Sequence, residues 1–202
     1  KTGLVTPLKD GQGEIRIVTA NGEQTIPVEV SGVTNPRPVS FRNEVLPILS
    51  KAGCNSGGCH GKAEGQNGFK LSVFGYDAAA DYDALVREAR GRRIFPASPE
   101  NSLLLTKATG KIPHGGGIRI DPNSRWHQRL LRWIREGVPL DADVRNSVVS
   151  ILVQPSEVAL DARGIQQLRV DAIGPDGGRW GVTAEADFQS NNDGIAAVNR
   201  GG

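Results

Sequence analysis

The sequence predicts an α + β chain of two domains, a small all-α domain with β segments on both sides, the later segment reading as a β-sandwich. Three observations predict it. Apolar and polar residues alternate over residues 4–32 and again over 147–202, the period of half-buried strands. Between them, over residues 40–140, apolar residues recur at helical spacing. The chain also carries 26 glycines and 12 prolines in 202 residues, enough to punctuate many short elements.

In order along the chain, Ile15, Ile17 and Thr19 alternate with polar residues, Asn21-Gly22 marks a hairpin turn, and Ile26, Val28 and Val30 alternate after it. Asn35-Pro36-Arg37-Pro38 reads as a stiff linker. Ser40 can cap a helix carrying Phe41, Val45, Ile48 and Leu49. Asp81 to Arg90 reads as a second helix, with Tyr82, Leu85 and Val86 apolar and Asp81, Asp83 and Glu88 on a solvated face. Ser98-Pro99-Glu100 starts a third, followed by Leu103, Leu104 and Leu105. Lys111 to Asp121 is a glycine-rich loop, and Ser124 caps a last helix bearing Trp126, Leu130, Trp133 and Ile134, stopped by Gly137 and Pro139. Val149, Ile151 and Val153, then Val158 and Leu160, then Leu168, Val170 and Ala172 read as strands. Trp180, Val182, Phe188 and Ile195 to Val198 follow them.

Net charge is +2 with 23% charged residues and no basic block, which argues against nucleic acid as a partner. No apolar run approaches the roughly 20 residues of a membrane span. The chain opens Lys1-Thr2-Gly3 and contains no methionine, so it is expected to be a piece of a longer protein.

The chemistry concentrates in Cys54-Asn55-Ser56-Gly57-Gly58-Cys59-His60, which holds both cysteines. A C-x-x-C-H signal attaches haem through two thioethers and an adjacent iron-binding histidine. Here four residues separate the thiols, a spacing of the form C-x4-C-H, and Gly57 and Gly58 suit the extra bulge. His60 is then the proximal ligand. The motif alone leaves three alternatives open: a Cys54–Cys59 disulfide, a zinc site that adds a distant histidine, or buried structural cysteines.

The stretches GCNSGGCHGKAEGQNGFKLSVFGYD, SLLLTKATGKIPHGGG and RLLRWIREGVP resemble the cytochrome-c-like domain of large exported planctomycete proteins, over about residues 39–140. The flanks resemble bacterial immunoglobulin-like group 2 domains: residues 148–202 the first part of such a domain, residues 3–32 its last. The resemblance implies an α + β fold with a small all-α cytochrome-c-like domain plus an immunoglobulin-like β-sandwich. The expected segments are 1–36 (late strands), 37–143 (haem domain) and 144–202 (early strands). Because the two flanks are complementary parts of one sandwich, the N-terminal hairpin is expected to complete the C-terminal strands, within one chain or by exchange between two.

The resemblance also implies one covalently attached haem c, held by Cys54 and Cys59, with His60 proximal. Methionine, the usual distal ligand, is absent. His114, in the loop Ile112-Pro113-His114-Gly115-Gly116-Gly117, stands where such a ligand falls, shortly before the last helix. His127 and a water-bound site are the alternatives, and Arg90, Arg92 and Arg93 are candidates for the haem propionates. The expected function is electron transfer by a bis-histidine centre rather than catalysis, in the periplasm or at the cell surface, with an unidentified redox partner. Two rivals stand beside it: a haem enzyme or sensor with an open sixth position, and a non-haem surface module.

Overall fold

The computed structural model describes residues 5–141 and 147–202, so the boundary expected at 143 and 144, like the first residues of the N-terminal β segment, lies outside the described residues. The chain divides at Arg37/Pro38 into two compact units.

The first unit is a hairpin of β1 (Gly11–Thr19) and β2 (Gly22–Val30), paired antiparallel from Gly11↔Val30 to Thr19↔Gly22. The turn therefore falls on Ala20 and Asn21, one residue earlier than expected, and the Thr19 hydroxyl donates to the Gly22 carbonyl at 3.1 Å. Ile15 sits opposite Ile26, but Ile17 and Ile26 each remain 42% exposed. Asp10 closes the base by accepting from the backbone N–H groups of Val33 (2.7 Å) and Thr34 (3.3 Å) and from the Thr34 hydroxyl.

The second unit begins with the helical region. Its first helix starts as a wide, π-type turn over Phe41–Val45 and continues as α1 (Leu46–Lys51). Ser40 Oγ accepts from Asn43 N–H at 3.1 Å, and buried Glu44 reaches back to accept from Ser40 N–H at 2.8 Å. This reciprocal cap uses the fourth residue after Ser40 rather than the third, because the wide turn rotates Glu44 into place. Glu44 also pairs with Arg129. Next come α2 (Ala78–Tyr82), continued by a π-type turn over Asp83–Arg87, then a single 3₁₀ turn at Pro99–Asn101 before α3 (Leu103–Ala108). Finally α4 (Arg125–Arg135) is capped by Ser124 Oγ accepting from His127 N–H at 3.3 Å.

Trp133, fully buried, is the hub of this region, with ring centres 5.5 Å from Phe41 and 6.5 Å from Tyr82. Leu49, Leu85, Leu105, Ile120, Leu130 and Ile134 pack around it, while Trp126 packs on the cluster half-buried. Both ends of the region are tied together. Phe41 N–H donates to the Leu140 carbonyl at 3.2 Å, Val39 N–H to Glu136 Oε2 at 2.7 Å, and Ser40 Oγ–H to Asp141 Oδ1 at 2.6 Å. Arg42 adds an ion pair to Asp141 at 2.8 Å. Asp81 is not on a solvated face: it is 1% exposed and accepts from Ser72 Oγ–H at 2.7 Å.

After this region β3 (Ser150–Gln154), β4 (Arg169–Ile173) and β5 (Arg179–Gly181) form a three-stranded antiparallel sheet in that order. Val170 and Ala172 are buried, and Asp171 is held by Arg169 and Arg179, each at 2.9 Å. Trp180 is half-buried on β5. Arg125 pairs with Glu185 at 2.8 Å, and Arg200 Nη1–H donates to the Lys51 carbonyl at 3.1 Å, joining this segment to the helical region.

The expected immunoglobulin-like sandwich is therefore corrected. The fold is α + β, with four α-helices and separate sheets of two and three strands among the described residues, and no sandwich. Among the described residues β1–β2 and β3–β4–β5 are separate sheets, each complete in its own hydrogen-bonded order. Val158, Leu160 and Ile195 lie outside the strands and are 49%, 51% and 84% exposed. Each strand pairs with its neighbour in sequence, the pairing that costs least loop-closure entropy.

Candidate functional site

The cysteine loop grows out of the C-terminal end of α1. Ala52 N–H donates to the Ile48 carbonyl at 2.9 Å and Cys54 N–H to the Leu49 carbonyl at 2.8 Å, so the first cysteine is fixed by the helix itself. The loop then folds back. His60 N–H donates to the Cys54 carbonyl at 3.0 Å, and Asn55, 2% exposed, anchors it by donating to Ser50 Oγ at 2.8 Å. The extra residues Gly57 and Gly58 form the exposed tip, where a Cβ would meet nothing. Gly61 is different: a Cβ there would lie 2.1 Å from the Asn55 carbonyl oxygen, so the return of the loop passes too close for any side chain. Both cysteines are free thiols, and burial pushes the Cys54 thiol up to about 11 against the pull of Arg119.

His60 is oriented from behind. Its Nδ1 lies 3.0 Å from the Phe69 carbonyl oxygen, and its ring packs on the Phe69 ring at 4.5 Å. Because only a carbonyl faces Nδ1, that nitrogen carries the proton and Nε2 keeps its lone pair. Burial holds the His60 imidazole below its ordinary value, which favours the neutral form that binds a metal.

His114 repeats the arrangement. Gly117 N–H donates to the His114 carbonyl at 2.9 Å, and His114 Nδ1–H donates to the Gly117 carbonyl at 2.9 Å. Gly117 has φ +72°, the left-handed value this closed turn needs. Lys107 Nζ donates to the Pro113 carbonyl at 2.5 Å and fastens the loop to α3.

The structure brings these two rings together. The His60 and His114 centroids are 6.3 Å apart and the planes 7° from parallel. Both Nδ1 atoms are committed to carbonyls, and neither Nε2 hydrogen-bonds to a described residue. A backbone partner on the second nitrogen is the usual outer support of a histidine ligand. The donor set present would suit a haem by its chemistry: two free thiols on one loop for thioethers, and two imidazoles each held through Nδ1 by a backbone carbonyl.

His127 is not part of this pair. It sits on α4 with Nδ1 buried and unpartnered, burial lowers its basicity, and among the described residues no ring contact joins it to His60. Among the described residues no group of three or more His, Cys, Asp or Glu side chains is placed to share an ion, whereas structural zinc takes four such donors.

The arginines are redistributed. Arg93 is 4% exposed and spends its guanidinium inside the fold, donating to the carbonyls of Ala84 (2.7 Å), Gly68 (2.6 Å) and Glu88 (3.3 Å). It is a support for the Phe69 segment, not a free partner for a propionate. Arg90 and Arg92 are exposed. An arginine that sequence reasoning passed over reaches the motif: Arg119 Nη2 lies 3.7 Å from Cys59 Sγ. Its sequence neighbours, Ile118 and Ile120, gave no sign of a site.

No family model, curated protein or solved structure matches this chain.

Proposed function

We propose that this chain is a c-type cytochrome module that carries electrons through one covalently attached haem with two histidine ligands. One observation carries the reading: His60 and His114, 54 residues apart in sequence, present near-parallel rings at 6.3 Å with both Nδ1 atoms tied to carbonyls. The C-x4-C-H spacing supports it from the sequence side.

In this reading Cys54 and Cys59 would hold the haem through thioethers, and His60 and His114 would be the iron's two imidazole ligands. The haem supplies a one-electron iron couple. The chain supplies everything that keeps that couple rigid. The Phe69 and Gly117 carbonyls fix the tautomers, the closed turn at His114–Gly117 fixes the distal ring, and the α1 terminus fixes the first thiol. Two imidazoles leave no coordination position for peroxide or a gas, so a carrier is favoured over an open-site enzyme. Imidazole in place of methionine also lowers the potential. Thioether attachment places maturation outside the cytoplasm, in a periplasmic or surface compartment.

The test is a pyridine haemochrome spectrum after acid–acetone extraction of protein matured in a c-type haem-attaching host. Retained haem with the α-band of two thioethers supports the proposal. Haem that extracts, or protein that matures without it, sinks it.

A further inference from the structure

Arg119 lies where both ligand loops meet. Its backbone is pinned, since Arg119 and Ile120 N–H groups both donate to the Ala108 carbonyl, at 2.8 and 3.0 Å, and the Ile120 side chain is 1% exposed. From this anchor the side chain crosses to the cysteine loop. Nη2 is 3.7 Å from Cys59 Sγ, and Nη1 is 3.6 Å from where a Cβ on Gly53 would stand. The root of the same guanidinium borders the distal loop, with Nε 3.4 Å from a Cβ position on Gly116, itself 3.3 Å from His114 Nε2. Among the described residues no carboxylate forms an ion pair with Arg119.

We propose that Arg119 is the potential-setting cation of the haem site, a fixed positive charge between Cys59 and the His114 loop that favours the reduced iron. The inference rests on the haem reading above. Among the described residues no carboxylate is paired with this guanidinium, and it stands beside the Cys59 sulfur. On a haem the thioether carbons and the propionates occupy opposite edges of the ring, so a guanidinium beside Cys59 is not neutralised by a propionate. Ferric haem carries one more positive charge than ferrous haem, and a neighbouring cation destabilises the oxidised form more. The guanidinium is exposed, so solvent and salt weaken the effect, and it is expected to be modest.

The experiment is spectroelectrochemical titration of the haem-loaded wild type, R119Q and R119K at low and high ionic strength. R119Q is expected to shift the oxidation equilibrium about threefold toward ferric, a potential about 30 mV lower at 59 mV per tenfold for one electron. R119K is expected to restore most of it, and high salt to shrink the difference, a dependence that a packing role would not show. Low-spin spectra and melting midpoints are expected to stay at the wild-type values, because the side chain is exposed. Equal potentials for wild type and R119Q would overturn the inference, and so would equal losses in R119Q and R119K. Folded R119Q that fails to take up haem would assign Arg119 to attachment instead and likewise overturn it. Wild type without covalent haem would sink the functional reading itself, a result distinguishable before any variant is measured.

Discussion

The guanidinium of Arg93 lies 4.4 Å from the centre of the Phe69 ring, and Phe69 in turn packs on His60. A buried cation is costly unless its donors are used, and Arg93 uses them on three carbonyls rather than on a carboxylate. Arg93→Ala would orphan those carbonyls and remove the cover from Phe69. It is expected to cost about 3 kcal/mol in urea denaturation. Arg93→Lys should recover less than half, since an ammonium cannot span carbonyls that a planar fork reaches at once.

On the proposed haem reading, His114→Ala is expected to leave the haem attached but convert the ferric spectrum from low-spin to high-spin and open the reduced iron to carbon monoxide. A low-spin spectrum that persists would move the distal role to another ligand, with His127 first in line.

The planes of His60 and His114 differ by only 7°. Near-parallel axial imidazoles give a rhombic low-spin ferric EPR signal, whereas perpendicular planes give a single feature at large g. A rhombic signal is expected here, and the large-g form would show that the rings turn when the site is loaded.

Gly61→Ala places a methyl group 2.1 Å from the Asn55 carbonyl oxygen. The clash is with backbone, so no side-chain rotation relieves it. A loss of about 3 kcal/mol is expected, the upper end for overpacking, together with poor haem incorporation. By contrast Gly57→Ala and Gly58→Ala, whose Cβ atoms meet nothing, are expected to mature at wild-type yield.

Burial raises the Asp81 carboxyl above its ordinary value of 3.8, and the Ser72 bonds pull the other way without cancelling it. A carboxyl whose folded value is raised favours the folded state most when protonated, below the unfolded value, and that contribution is lost as pH rises through the folded value. Asp81→Asn keeps an acceptor for Ser72 but no charge. Thermal melts of the two proteins from about pH 4 to pH 7 should therefore drift in favour of D81N. A gap that is flat with pH would show that Asp81 titrates as it does unfolded.

The parts of the molecule that were legible beforehand are those governed by local chemistry. Ser40 and Ser124 are caps because a hydroxyl before a helical run has nothing better to accept from. The cysteine loop drew notice in the sequence because both thiols and a histidine fall within seven residues. The sandwich was misread because alternation of Ile15, Ile17, Ile26 and Val28 reports that a strand has an apolar side, not what covers that side. Asp81 and Arg93 were misplaced for a related reason. A charged residue on a helix reads as solvated, as Asp81 did, and three close arginines read as charge free for a propionate; only the three-dimensional approach of Ser72 and of the Ala84 and Gly68 carbonyls shows that Asp81 and Arg93 are buried. Arg119 stands among residues of no chemical distinction, and its meaning comes from a cysteine 60 positions away.

The bonds from Val39, Ser40 and Phe41 to Glu136, Leu140 and Asp141 draw the start and finish of the helical region together. A stretch of chain that enters and leaves at one point makes small demands on what surrounds it. It can be set into a surface loop of another protein without prying that loop apart, as insertions tolerated between neighbouring termini are. Between those two ends lie His60, His114, both thiols and Arg119, so the whole candidate site sits inside one stretch of chain whose start and finish meet.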